Sequence, residues 1–191
     1  LVNVRRRHSL RFTFGSQEAF AYNGTANIKA ARGTFTTPAS TGTDSITGIG
    51  FQPKALIFYG TMRTNESAGS HSNYFFGFSD GTNHKSFAIK SEDATTDNGR
   101  FQQNYALELR NTDTTALVQA TVNSLDTDGF TINYTTTSSG YYVHYIAFGG
   151  TDLEAEVGEE IVSSSPLTIS SGTLAPDIIF LGTAGYVTPA S

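Results

Sequence analysis

Tyr74-Phe75-Phe76-Gly77-Phe78-Ser79-Asp80-Gly81-Thr82 is the stretch that decides the fold. A short aromatic run ends in Ser-Asp-Gly, and a second apolar run, Ser86–Ile89, follows at once. Asp-Gly supplies the positive φ that a tight hairpin needs, so the two runs read as paired antiparallel strands. Thr127-Asp128-Gly129 repeats the device between Ala116–Val122 and Phe130–Tyr134. Working outward, Ala55–Tyr59, Tyr141–Phe148 and Ile178–Leu181 are further short apolar runs bounded by turn residues, and they too read as strands. The best helical window, Gln102–Arg110, is too short and too closely flanked by Asn and Asp to compete. Short strands joined by such turns predict an all-β fold, an antiparallel jelly-roll-like β-sandwich rather than βαβ units.

Composition supports that assignment. Charged residues make up only 15% of the 191, while Phe and Tyr number 14 and 9, and Gly, Thr, Ser and Asn fill the remainder. Aromatic and β-branched side chains suit a pleated surface, and the small polar residues suit turns. The chain has no cysteine, so it has neither a disulfide framework nor a thiolate metal site, and stability must come from the core, from oligomerisation or from both. No apolar run reaches the ~18–20 residues of a membrane-spanning helix, which predicts a soluble chain without membrane insertion. The sequence starts without Met and without a signal-peptide core, as expected of a processed or partial N-terminus.

The net charge of −5 is unevenly distributed. Residues 1–32 carry Arg5, Arg6, Arg7, Arg11, Lys29 and Arg32 against Glu18, a balance of +5, which leaves −10 on residues 33–191. The chain therefore divides into a basic N-terminal arm at 1–32, a strand-rich module at 33–160 whose last residues form an acidic linker, and a remainder at 161–191. Arg5, Arg6, Arg7 and Arg11 are the candidates for anchoring the arm to a larger particle, either on phosphates or on an acidic subunit; a solvated terminus is the alternative.

The remainder echoes the module. Pro53-Lys54-Ala55-Leu56-Ile57-Phe58-Tyr59-Gly60-Thr61 returns as Pro176-Asp177-Ile178-Ile179-Phe180-Leu181-Gly182-Thr183, allowing one gap. A Pro is tolerated at the first residue of a strand, where its missing N–H does no harm. The echo predicts either the start of a second repeat or a returning strand that pairs with the first copy.

These residues also carry a family resemblance. The succession Gly33-Thr34-Phe35, Ser45-Ile46-Thr47-Gly48-Ile49-Gly50-Phe51-Gln52-Pro53-Lys54-Ala55, Gly77-Phe78-Ser79-Asp80-Gly81, Ser91-Glu92-Asp93, Asp128-Gly129-Phe130-Thr131-Ile132-Asn133-Tyr134 and Tyr142-Val143-His144-Tyr145-Ile146-Ala147-Phe148-Gly149-Gly150 resembles a repeat module of tailed-bacteriophage and prophage virion structural proteins. The resemblance spans residues 33–160 and implies a component of capsid-decoration, head-fibre or tail-fibre type on the outer surface of a virion. It brings no catalytic residues with it, and the arm lies outside it.

A direct search for chemistry gives little. There is no phosphate-binding Gly-rich loop, no His-Glu-x-x-His helix and no Gly-x-Ser-x-Gly elbow. His8, His71, His84 and His144 are scattered; His71 and His84 flank the first hairpin without an evident third metal ligand. Glu92, Asp93 and Asp97 lie in a polar loop whose spacing is not that of an EF-hand, so no metal and no cofactor is expected. Among the aromatic clusters, Tyr141 and Tyr142 are the candidate glycan contacts, although strand alternation places Tyr141, Val143 and Tyr145 on one face and Tyr142, His144 and Ile146 on the other.

The expectation is a non-enzymatic structural protein of a phage virion. It would act by self-assembly, with a trimer favoured because closed rings bury strand edges, and by attachment to a capsid or tail protein. The alternative is a receptor- or glycan-binding module of a tail fibre. A third reading, a polysaccharide-degrading enzyme, lacks a nameable carboxylate pair.

Overall fold

A computed structural model describes residues 27–65, 67, 72–94, 98–110, 115–159, 174 and 178–182. Every regular element among them is a strand: β1 (Lys29–Thr36), β2 (Gly42–Thr47), β3 (Pro53–Gly60), β4 (Ser72–Ser79), β5 (His84–Ser91), β6 (Asn98–Gln103), β7 (Leu107–Arg110), β8 (Ala116–Asp126), β9 (Gly129–Thr136) and β10 (Tyr142–Gly149). They form two antiparallel sheets, a six-stranded one ordered β1-β10-β3-β4-β5-β6 and a four-stranded one ordered β2-β9-β8-β7. The chain switches sheets along β1, β2 and β3, meanders through β4–β6 in one sheet and β7–β9 in the other, and returns with β10 between β1 and β3. Among the described residues no helix is long and apolar enough to cross a membrane.

Both Asp-Gly pairs form hairpins, joining β4 to β5 and β8 to β9, with Gly81 at φ 89°. Period-two alternation then builds the core. Leu56 and Phe58 of β3, Phe75 of β4, Val143 and Tyr145 of β10 face Val118, Ala120 and Val122 of β8 and Phe130, Ile132 and Tyr134 of β9. The aromatic rings meet edge to face, Phe58 on Phe130 with centroids 5.6 Å apart and Phe130 on Tyr145 at 5.1 Å, the geometry that ring quadrupoles favour. Gly77 of β4 lies so close to the opposite sheet that a Cβ there would overlap the Ala106 carbonyl oxygen.

The window Gln102–Arg110, rejected as a helix from its sequence, holds the end of β6 and all of β7. Two expectations are revised. The basic stretch is not an arm throughout, since Lys29–Arg32 already belong to β1 and pair with β10. Ile178–Leu181 is not a strand, and its residues have no regular secondary structure. The reason is topological. β3 is hydrogen-bonded by β10 on one side and β4 on the other, so the first copy of the motif has no edge left for its echo.

Candidate functional site on the outer face of the six-stranded sheet

The two sheets have different exteriors. On the four-stranded sheet, Thr43, Ser45 and Thr47 of β2 lie beside Thr131 and Asn133 of β9, and Ser45 Oγ and Thr131 Oγ1 are hydrogen-bonded at 2.8 Å. Small polar groups of this kind leave a surface that water solvates well.

On the six-stranded sheet, register aligns aromatic rings across the strands. His144 of β10 is opposite Tyr59 of β3, Tyr59 is opposite Phe76 of β4, and Phe76 is opposite Phe87 of β5. Their rings stack in sequence, with centroids 5.3, 6.3 and 5.2 Å apart and interplanar angles of 32°, 22° and 17°. Polar residues flank the row: Thr34 Oγ1 lies 2.7 Å from His144 Nδ1 on β1, and Gln102 of β6 pairs with Phe87. Phe76 is 39% exposed, and in the adjoining row Tyr74 is 53% and Ile89 40% exposed. A contiguous exposed apolar surface on a β-sandwich marks a contact surface.

Part of this face is covered by the chain's own later residues. The acidic stretch expected to be a linker instead buries Leu153 on Ala55, Ile57 and Phe148, and Val157 is buried nearby. Lys54 Nζ donates to the Leu153 carbonyl at 2.8 Å, and the Val157 amide donates to Asp80 Oδ2 at 2.8 Å. The motif echo lies over the same face: Phe180 packs on Phe148 with centroids 6.4 Å apart, and Gly182 sits against the Phe87 ring.

The polar cluster at the β4–β5 turn resembles catalytic machinery in its residue types only. Ser79 Oγ lies 2.9 Å from His84 Nδ1 and also accepts the Gly81 amide. Ser79 is fully buried, so no substrate carbonyl reaches it. Burial pushes the Asp80 carboxyl up, but hydrogen bonds from the amides of Asn83, Val157 and Thr82 and from the Asn83 side chain stabilise its charge and bring it below the usual value. Burial lowers the His84 pKa, with Asp80 acting in the opposite sense. The cluster clamps a turn and ties it to Val157.

The remaining sequence candidates are dispersed. Tyr141 packs against the main core and its amide donates to Thr37 Oγ1, whereas Tyr142 lies half-buried on the outer face with its amide on the Arg63 carbonyl. The two tyrosines thus point to opposite sides and form no joint platform. Arg5, Arg6, Arg7, Arg11, His8, His71 and Asp97 lie outside the described residues. Glu92 is paired with Lys90 at 2.9 Å. Sequence reading missed the row of Tyr59, Phe76, Phe87 and His144; its only signal was equal parity on neighbouring strands, which becomes a site once register aligns them.

No protein-family model and no curated protein matches this chain. Among solved structures, the chain is similar to the tailspike protein of an Acinetobacter phage, with a TM-score of 0.25 and 12% identity over 78% of this chain and 26% of the tailspike chain. The chain thus spans about a quarter of that tailspike's length. At that TM-score the likeness carries no functional argument.

Proposed function

We propose that this chain is a non-enzymatic structural module of a phage virion, exposed on capsid or tail, that assembles by burying the aromatic face of its six-stranded sheet against another copy of the same module. The observation that carries the proposal is the contrast between the two exteriors, one polar and the other lined by stacked rings. The occupant follows from the chain itself, because an echo of its own β3 motif already lies on that face, with Phe180 on Phe148. The sequence resemblance supplies the virion context and the tandem use of the module. Arg5, Arg6, Arg7 and Arg11 then serve as the attachment to a capsid or tail protein.

The test is light scattering of the full chain at micromolar concentration, together with immunolabelling of particles from the source. Wild-type protein is expected to be oligomeric, as a trimer or another closed ring, and Phe76→Asp monomeric with its fold retained. Labelling is expected at symmetry-related sites on the shell or along tail fibres. A wild-type monomer, or absence from particles, refutes the proposal.

One observation favours a second reading. Stacked rings flanked by Thr34, His144 and Gln102 combine flat apolar surface with hydrogen-bonding groups, as a sugar-binding platform of a tail fibre requires. Glycan-array binding by the wild type, lost in Tyr74→Ala, would favour adhesion over assembly.

A further inference from the structure

The opposite, inward side of the β4–β5 hairpin holds polar side chains that neither the turn clamp nor the aromatic row uses. Lys90 sits near the end of β5 on the side of the sheet that carries Ser86 and Ala88, with its side chain only 3% exposed. Directly opposite on β4 is Asn73, and such cross-strand neighbours have Cβ atoms about 5 Å apart. On β6 the residue opposite Lys90 is Gly99, which has no side chain, so Asn73 is the adjacent side-chain amide in that row. Asn73 Oδ1 is buried and accepts no hydrogen bond, an arrangement that native proteins usually avoid. Glu92 Oε1 lies 2.9 Å from Lys90 Nζ.

We infer that Lys90 and Asn73 are joined by an intramolecular isopeptide bond, with Glu92 as the proton carrier. Lys90 Nζ must shed a proton before it can add, and the Glu92 carboxylate, 2.9 Å away, is the group placed to take it. Lys90 Nζ then adds to Asn73 Cγ. The protonated Glu92 has an O–H to offer, and the open acceptor is Asn73 Oδ1, where negative charge develops as Nζ adds. Glu92 passes its proton to the departing nitrogen, the Cγ–Nδ2 bond breaks, and ammonia leaves, taking up the second proton shed by the lysine as ammonium. The Cγ–Nζ bond that replaces it is an ordinary amide. No oxidant, metal or co-reactant enters. In a chain without cysteine, this bond locks β4 to β5 covalently at the end of the hairpin away from its turn.

The intact mass of the purified full chain tests this. The expected result is a mass one ammonia below that of the sequence. Proteolysis should also yield a branched peptide joining the Asn73 and Lys90 segments, with no tryptic cut after Lys90. Lys90→Arg and Glu92→Gln should retain the full mass and lose the branched peptide. The near-isosteric Asn73→Asp should still cross-link but lose water instead of ammonia, which separates chemistry from misfolding. A wild-type chain of full sequence mass overturns the inference. So does an ammonia loss that persists in Lys90→Arg without a branched peptide, because succinimide formation at an Asn-Gly step gives that result.

Discussion

The outer face of the four-stranded sheet and the outer face of the six-stranded sheet are both built on antiparallel strands, yet they present different chemistry. Thr43, Ser45, Thr131 and Asn133 make the first a surface of short polar groups, while Tyr59, Phe76, Phe87 and His144 make the second a stacked row. The core between the sheets contains neither group of residues. The contrast teaches that aromatic content in this chain has two purposes. Phe58 and Phe130 hold the sheets together, and Phe76 and Tyr74 are left where only something outside the sandwich can bury them.

Substitutions sharpen the contrast in descending order of effect. Phe58→Ala removes a fully buried ring at the centre of the core and should cost about 3–5 kcal/mol in urea unfolding. Removing the Asp80 carboxylate acts next, because it strips the acceptor from the amides of Thr82, Asn83 and Val157 and so loosens the stretch that covers part of the aromatic face. Asp80→Ala should cost about 1–3 kcal/mol. Since the folded carboxyl titrates below its ordinary 3.8, its contribution is complete above that pH and is lost as pH falls through the folded value. The acid limb of a stability profile should therefore be shallower in Asp80→Asn.

Phe76→Ala should change monomer stability by about 1 kcal/mol or less, while abolishing self-association in light scattering. A large stability loss would show instead that the row is structural and would erase the distinction between the faces. Thr43→Ala on the polar exterior should stay within about 0.5 kcal/mol of wild type and leave assembly unchanged.

Glu108 refines the comparison at the edge of the four-stranded sheet. It is buried, with Arg110 Nε donating to one carboxylate oxygen at 2.5 Å and the other oxygen unpartnered. Burial raises its pKa against the pull of Arg110 and Gln119. A raised carboxyl pKa means that this group favours folding less as pH climbs from its unfolded to its folded value, opposite in sign to Asp80. The two acids therefore bend the stability profile in opposite directions, which Glu108→Gln and Asp80→Asn would separate.

Local chemistry made much of this molecule legible. The Asp80-Gly81 and Asp128-Gly129 pairs forced hairpins, because few other dipeptides reach the required φ, and Pro53 marked the start of β3 because a strand tolerates a missing N–H there. Strand alternation alone also separates Tyr141 from Tyr142. β6 escaped notice because Phe101 is the single apolar side chain in Asn98–Gln103, and β7 because the alternation Leu107-Glu108-Leu109-Arg110 lasts only four residues; both are edge strands whose pairing is supplied by β5 and β8. The motif echo was read as a strand because its residues repeat those of β3.

Sequence by itself determined the class of fold, the hairpins and which residues of each strand share a face, since these follow from backbone geometry within a few residues. Only the tertiary structure decided that β10 inserts between β1 and β3, that the echo has no strand edge to join, and that Tyr59, Phe76, Phe87 and His144 form one row. Register between strands distant in sequence is a property of the whole packed sheet: a shift of one residue would reverse every side chain, and no local signal records which register the core selects.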